Sequence, residues 1–338
     1  MGHIQTLSLA DYLAGGMRRS RFLVALDDSW HASGFVIITD TGINPDAAMQ
    51  TLRATNLFFS LPEAVKYHYE DVDGGRQRGV TRLGGENAAH EKSGQVNRVE
   101  FWHQGRELSV DHPYLPSYRP NLHVTEGDFA TVVPAMYQEF DDFASRINPA
   151  ISELFEMHSG WMNQLSFEGD SILRLLHYPA VGDEVIKDGV VNVGHTDIDL
   201  YACVIAGSDG LEVWIEDRWV PIDAPPGAVI MNAGDMMQLL SGGYYPSAWH
   251  RVITRDRKTK RLSMAFFFHP PRSTVLRPSG RFAKNADALW QRRICTAGWL
   301  LFHRLREINL FHGENPFAHE GTDPALFPAP QRPGVWTA

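Results

Sequence analysis

Apolar positions along the chain fall into two textures. In the first half they recur at helical spacing. Phe22, Ala25, Leu26 and Trp30 predict a helix over residues 22–32. Gly34 and the run Phe35-Val36-Ile37-Ile38 then predict a stop and a strand. Asn44-Pro45-Asp46 opens a second helix that runs through Met49, Leu52 and Leu57 to Phe59, with proline in its first turn. A third helix is expected over residues 126–157, carried by Phe129, Val133, Met136, Phe140 and Phe143. Between these two, residues 71–95 are Gly-rich and polar without periodicity and read as a loop, a kind of segment that is often functional.

From about Ile172 the texture changes to short apolar runs separated by Gly, Pro and Asp. They cover residues 172–178, 190–193, 200–205, 211–215, 219–222, 228–232, 249–254 and 262–269. Many short strands at this spacing predict a mainly β protein, barrel or sandwich, with flanking helices. Residues 283–310 read as helix again, with Trp290, Ile294, Leu301, Leu305 and Ile308 on one side. Residues 313–338 carry five prolines and no period, so an extended or partly disordered tail is expected. No internal repeat emerges. The expected organisation is one domain over 1–312, with an α/β region to about 165, a β core over about 166–275 and a helical region over about 280–312.

Charge narrows the partners. The formal net charge is −9, and the one basic stretch, residues 255–261, reads as a solvated turn between strands. A nucleic-acid partner is not expected, because phosphate backbones would be repelled. Cys203 and Cys295 are the only cysteines, so neither a disulfide framework nor a multi-thiolate metal site can be built. Residues 1–14 lack a secretory pattern, and the apolar runs are too short to cross a bilayer. A cytoplasmic protein with no membrane association and no obligate protein partner is expected.

The candidate chemistry lies in the β-rich half. In Val193-Gly194-His195-Thr196-Asp197, a strand would turn His195 and Asp197 to one face. His250, at the start of another apolar run, offers a third ligand. Two histidines and a carboxylate leave three metal positions open, as non-haem Fe(II) oxygenases require. By itself His-x-Asp is a weak signal in a chain with 15 histidines. Two positions apart on the next strand stand Arg261 and Ser263, a planar cationic fork and a hydroxyl donor. An arginine buried beside a metal needs an anion, which a dicarboxylate cosubstrate would supply; an Arg261 solvated in the basic turn is the other reading.

The set His195-Thr196-Asp197, His250-Arg251-Val252 and Arg261-Leu262-Ser263 resembles the motifs of the isopenicillin N synthase-like branch of the 2-oxoglutarate/Fe(II)-dependent dioxygenases. Leu173-Arg174-Leu175-Leu176-His177-Tyr178-Pro179, Asn232-Ala233-Gly234-Asp235 and Phe268-His269-Pro270 continue the likeness in order, as do Ser33-Gly34-Phe35-Val36 and Glu100-Phe101-Trp102-His103 nearer the start. The resemblance covers roughly residues 7–271. It implies a double-stranded β-helix (jelly-roll, cupin-like) core with His195, Asp197 and His250 as catalytic Fe(II) ligands. Arg261, Ser263 and Tyr178 would bind the cosubstrate 2-oxoglutarate. Dioxygen would then oxidise a small-molecule metabolite by hydroxylation, desaturation or cyclisation, with release of succinate and CO2.

Phe101, Trp102 and His103 fall in a region that the family uses near its pocket. Arg78, beside the Gly-rich loop, is a further candidate for contact with an anionic substrate. His177 reads as a hydrogen-bonded structural histidine. Two departures stand out: Leu176 replaces an asparagine common in plant members, and Gly242 falls where Asn-Gly is usual. The carboxylate of Asp197 argues against a halogenase, since related halogenases lack it. Two alternatives remain open: an isopenicillin N synthase-type oxidase that uses Fe(II) and O2 without 2-oxoglutarate, and a non-catalytic jelly-roll binding protein.

Overall fold

The computed structural model describes residues 4–86, 97–115, 117–184, 186–207 and 209–330. Its twelve principal strands are β1 (Thr6–Ser8), β2 (Phe35–Thr39), β3 (Gly79–Thr81), β4 (Glu100–Gly105), β5 (Ile172–Tyr178) and β6 (Val190–His195), then β7 (Tyr201–Ala206), β8 (Leu211–Ile215), β9 (Arg218–Pro221), β10 (Val229–Ala233), β11 (His250–Ile253) and β12 (Arg261–Phe268). They form an eight-stranded sheet, in the order β1-β2-β10-β7-β12-β5-β4-β3, and a four-stranded sheet, β6-β11-β8-β9. This is the mainly β, double-stranded β-helix architecture with flanking helices.

Strand alternation divides the apolar residues between two cores. On the large sheet Leu173, Leu175, Cys203, Met231, Met264 and Phe266 face outward, joining the cluster that holds the helices. The residues between them, among them Phe35, Ile37, Phe101, Leu176, Tyr178, Ile230 and Ala265, face inward and pack with Val191, Val213 and Val252 of the small sheet. The helix Phe129–Leu154 supplies much of the outer cover, burying Val133, Met136, Phe140, Phe143 and Ile147. It runs through Pro134 and Pro149. Each proline removes one backbone hydrogen bond, and burial of this wide apolar face offsets the loss.

Local signals behave as the pattern predicts in the first half. The helix Gly16–Ser33 ends where Gly34 adopts φ +71°, and Asn44 caps the helix Pro45–Phe59 by accepting from the amides of Asp46 and Ala47. At Gly34 a side chain would also collide with Pro246 and Ala248, 2.6–2.7 Å away, which lead into β11. The N-terminal strands β1–β4 all join the large sheet, so the β core extends well outside residues 166–275.

The C-terminal region departs from expectation. Residues 283–310 do not form one helix. A short helix, Ala288–Arg292, ends where Arg293 turns extended, and Cys295–Thr296 pairs with Val275–Leu276. Thr296 then caps a second helix, Ala297–Glu307, by accepting from the Trp299 amide. The tail to residue 330 is docked rather than loose. Phe327 is buried with its ring 4.9 Å from that of Trp299. Arg293 donates to the Leu326 carbonyl at 2.7 Å and Arg304 to that of Pro328 at 3.1 Å. One buried aromatic and two guanidinium anchors outweigh the extended bias of the prolines. Residues 331–338 of the expected tail and 87–95 of the expected loop lie outside the described residues.

At one end of the large sheet a buried carboxylate is paired twice. Asp170 accepts from Arg78 at 3.0 Å and from Arg272 at 2.7 Å. The Arg78 guanidinium lies where a side chain on Gly105 would stand. Burial opposes ionisation of Asp170, but Arg272 and Arg78 outweigh it and hold the carboxyl below its ordinary range. Asp170→Ala would leave two guanidinium groups buried without their anion. We expect a loss of about 3–5 kcal/mol in urea-unfolding stability, and a change below about 1 kcal/mol would show that the cluster is not what holds this end of the sheet.

Candidate active site

His195 closes β6, His250 opens β11, and the two stand opposite each other in the pairing of these strands. Their rings are 4.3 Å apart. The Nδ1–H of His195 donates to the Val193 carbonyl at 2.8 Å, and that of His250 to the Ala248 carbonyl at 3.0 Å. Both rings are thereby fixed with the Nε2 lone pair turned to a common point. Asp197 completes the group, but not as a strand neighbour of His195. Strand β6 ends at His195, and Asp197 lies in the turn that follows. Asn232 Nδ2 donates to its Oδ2 at 2.7 Å, and the Asp235 amide donates to its carbonyl at 2.8 Å. The expectation that strand alternation aligns the two residues is corrected accordingly.

The Asp197 carboxylate lies 3.8 Å from Nε2 of His195 and 3.7 Å from Nε2 of His250. All three ligand atoms fall within 4.8 Å of one another. Burial, with His250 beside it, lowers the His195 ionisation to about 4, so this ring is neutral at pH 7. Burial opposes ionisation of Asp197, but His250, His195 and the Asn232 hydrogen bond hold its carboxyl below the usual range. Imidazole nitrogen and carboxylate oxygen on one side of a point, with the other side open to a cavity, fit an Fe(II) ion that keeps exchangeable positions.

Further inside the barrel, β12 and β5 pair with Arg261 opposite Tyr178 and Ser263 opposite Leu176. Arg261 donates from Nη1 to Ser263 Oγ at 2.9 Å and from Nε to the Asp209 carbonyl at 3.0 Å, and its guanidinium lies 5.1 Å from the centre of the Tyr178 ring. The sequence pairing of Arg261 with Ser263 on one face thus appears in the geometry, and Arg261 is buried rather than solvated. Tyr178 is buried with them.

On its open side the triad borders a cleft of about 830 Å³, in part open to solvent, lined by Arg174, His103, Asp199, Phe267 and His269 among others. Of the four residues expected near substrate, His103 lines this cleft. Trp102 belongs to the helix-facing core, because alternation turns it away from Phe101 and His103. Phe101 faces inward but is wholly buried beneath the Arg174 guanidinium, 4.0 Å from its ring centre. Arg78 is 0% exposed and bound to Asp170, so its expected role at a substrate is withdrawn. His177 faces outward, donating to Glu100 at 2.9 Å and stacking on Phe59.

The comparisons agree with this geometry. The model of the 2OG-Fe(II) oxygenase superfamily matches residues 169–270, and that of the non-haem dioxygenase in morphine synthesis N-terminal region matches residues 4–126. The chain belongs to the 2OG-Fe(II) oxygenase superfamily. Flavanone 3-dioxygenase 2 of Oryza sativa subsp. japonica is 27% identical over 266 residues, covering 77% of this chain and 73% of the relative. The 2-oxoglutarate-dependent dioxygenase thnC of Trichoderma harzianum is 28% identical, covering 74% and 79%. A crystal structure of a protein assigned to the 2OG-Fe(II) oxygenase family from Caulobacter crescentus superposes with a TM-score of 0.79 at 29% identity, covering 90% and 99%. The oxygenase is therefore an oxidoreductase that uses Fe(II), 2-oxoglutarate and O2.

Arg174, Asp199 and His269, all on the cleft, were not singled out from the sequence. A signal existed for Arg174: counting back by twos from Tyr178 along β5 reaches it on the same inner face. Counting on by twos from Arg261 through Phe267 likewise reaches His269, one residue past the end of β12, whereas Asp199 lies beyond the end of β6, where no period holds.

Several buried histidines make stability depend on pH. Besides His195, burial lowers the ionisation of His269, and burial with Arg174 nearby lowers that of His103. Below the ordinary histidine value of about 6.5 the unfolded chain takes up protons that the folded one refuses, so folding loses stability as pH falls. We expect the thermal midpoint of the metal-free oxygenase to hold steady above pH 7 and to fall as pH drops from about 6.5 towards 4. A midpoint unchanged between pH 7 and 5 would contradict neutral burial of these rings.

Proposed function

We propose that the oxygenase oxidises a small organic metabolite, with His195, Asp197 and His250 holding Fe(II) and with Arg261, Ser263 and Tyr178 receiving the distal carboxylate of 2-oxoglutarate. The observation that carries this reading is the convergence of three ligand atoms within 4.8 Å, backed by a buried Arg261–Ser263 pair. Bound Fe(II) supplies the redox chemistry that couples decarboxylation of 2-oxoglutarate by O2 to oxidation of the substrate, releasing succinate and CO2.

The chain's own contribution is placement and electrostatics. Asn232 and the Asp235 amide fix the orientation of Asp197, and the Val193 and Ala248 carbonyls fix the tautomers of the two histidines. Arg261 brings a positive charge to the inner end of the barrel. Because Ser263 Oγ accepts from Arg261, its O–H remains to donate to a carboxylate. Leu176, beside them, keeps this end apolar and dry.

A small metabolite suits the cleft, which opens in part to solvent and combines Arg174, His103 and His269 with the apolar Ile172, Phe267 and Leu301. The relatives named for flavanone and gibberellin oxidation act on compounds of that scale. The net charge of −9 disfavours nucleic acid. A cytoplasmic location accords with two buried free thiols, and no helix among the described residues is long and apolar enough to cross a membrane.

Anaerobic addition of Fe(II) and then 2-oxoglutarate to the purified protein should produce a weak visible charge-transfer band that needs both. Iron uptake without the band would favour an oxidase independent of 2-oxoglutarate. His195→Ala or His250→Ala should abolish both the band and succinate formation, and full turnover in either variant would remove that residue from the ligand set. For Arg261→Ala, loss of a charge-assisted pair, about 1.5–3 kcal/mol, should raise the 2-oxoglutarate concentration required by roughly ten- to a hundredfold. An unchanged requirement would displace Arg261 from the cosubstrate.

A further inference from the structure

The cleft wall holds polar atoms that the fold leaves unmatched, although buried charges elsewhere are paired. His269 follows β12 and is 6% exposed; its Nδ1–H donates to the Phe267 carbonyl at 3.1 Å, so Nε2 presents a lone pair, and this atom has no hydrogen-bond partner among the described residues. Asp199 is 1% exposed, and neither of its carboxyl oxygens has a hydrogen-bond partner among the described residues. Its Oδ1 lies 2.2 Å from where a side chain on Gly234 would begin, so glycine there makes room for the carboxyl. A buried polar atom left unmatched costs about 1–3 kcal/mol. Three such atoms lining one cleft are accounted for if a ligand completes them.

The third group is a donor. Arg174 stands on the inner face of β5, four positions before Tyr178, which puts it roughly 13 Å along the strand from the cosubstrate end. Its Nε–H donates to His103 Nε2 at 2.7 Å, and His103 is fixed to accept because its Nδ1–H donates to the Arg76 carbonyl at 2.8 Å. Nη1 reaches Glu86 at 3.4 Å, and the guanidinium is clamped between Phe101 at 4.0 Å and Phe267 at 4.9 Å. Nη2 has no partner among the described residues. His103 is thus a positioning residue for Arg174, with both ring nitrogens already occupied.

We propose that the oxidised substrate carries two N–H donors beside a carbonyl or carboxylate oxygen, with Asp199 and His269 taking the donors and Arg174 the oxygen. This rests on the reading of the site as an Fe(II)/2-oxoglutarate centre and names what that centre acts on. A hydrocarbon, which has no donor, would leave His269 and Asp199 unmatched. A simple carboxylic acid would satisfy Arg174 but bring no donor to the other two. α-Amino acids and cyclic amides both carry the required chemistry, the first as a zwitterion and the second as a neutral ring.

The test is binding without turnover. Protein loaded with Zn(II) and 2-oxoglutarate is examined by saturation-transfer NMR against free α-amino acids, hydantoin-type cyclic amides, and the fully N-methylated counterparts of both. One N–H panel should bind, with its methylated counterparts at least about tenfold weaker; which panel binds identifies the source. Arg174→Met and His269→Phe should each weaken that binding about tenfold or more, His269→Asn, which restores an acceptor, should recover part of it, and 2-oxoglutarate affinity should not move. Equal binding of methylated and unmethylated compounds, or binding of neither N–H panel by protein that holds 2-oxoglutarate, overturns the proposal. Failure of the wild-type protein to hold 2-oxoglutarate would instead bring down the reading of the site itself.

Discussion

The two-residue period of β5 and β12 is the constraint on which the active centre rests. Across this pair, residues of one parity enter the helix-covered core and residues of the other face the barrel interior. The interior column on β12 runs Arg261, Ser263, Ala265, Phe267, and that on β5 runs Tyr178, Leu176, Arg174, Ile172, matched position by position. A slip of one residue would carry Arg261 and Arg174 into the apolar core and drive Met264 and Phe266 into the cavity. The large sheet therefore cannot shift its register without losing the core and the chemistry together. Two guanidinium groups end up on one inner surface, one deep beside Tyr178 and one at the cleft.

That same period explains what the chain reveals unaided. The strands from Ile172 onward announce themselves because each is a short apolar run closed by Gly, Pro or Asp, and Arg261 with Ser263 falls on one face because they belong to one uninterrupted strand. Asp197 was legible as a candidate beside His195 and His250, but not for the reason that spacing suggested. It sits past the end of β6, where its direction is set by Asn232 and by the Asp235 amide, partners roughly 35 residues away. Arg78 and Trp102 were misplaced for related reasons. Sequence neighbours of pocket residues point the other way on a strand, and an arginine beside a Gly-rich loop gives no sign that its counter-ion, Asp170, lies 92 positions on. The break near Arg293 and the docking of Phe327 depend on tertiary partners, which no local pattern encodes.

Buried charge is managed in two distinct ways. On the outer face Glu100 is met by Lys66 at 2.8 Å and by His177 at 2.9 Å, and at the end of the sheet Asp170 is met by two arginines. These groups are matched within the protein and stiffen the strands that carry the site. Along the cleft the matching stops at Asp199 and His269. Asp199 is thus the buried carboxyl without the cationic partner that Glu100 and Asp170 each have.

The C-terminal segment extends this logic to the cavity rim. Arg304 donates to Asp235 at 2.9 Å, and Asp235 in turn fixes the backbone of Asp197. The same guanidinium donates to Glu307 at 2.8 Å and to the carbonyl of Pro328, while Pro330 lines the cleft. A single buried arginine therefore joins the turn that carries Asp197, the last helix and the tail. Because its charge is shared between Asp235 and Glu307, its remaining N–H groups can anchor backbone carbonyls without stranding a buried cation. The rim of the cleft is then built from the same interaction that orients Asp197 at its floor, which ties the shape of the entrance to the geometry of the His-Asp-His group.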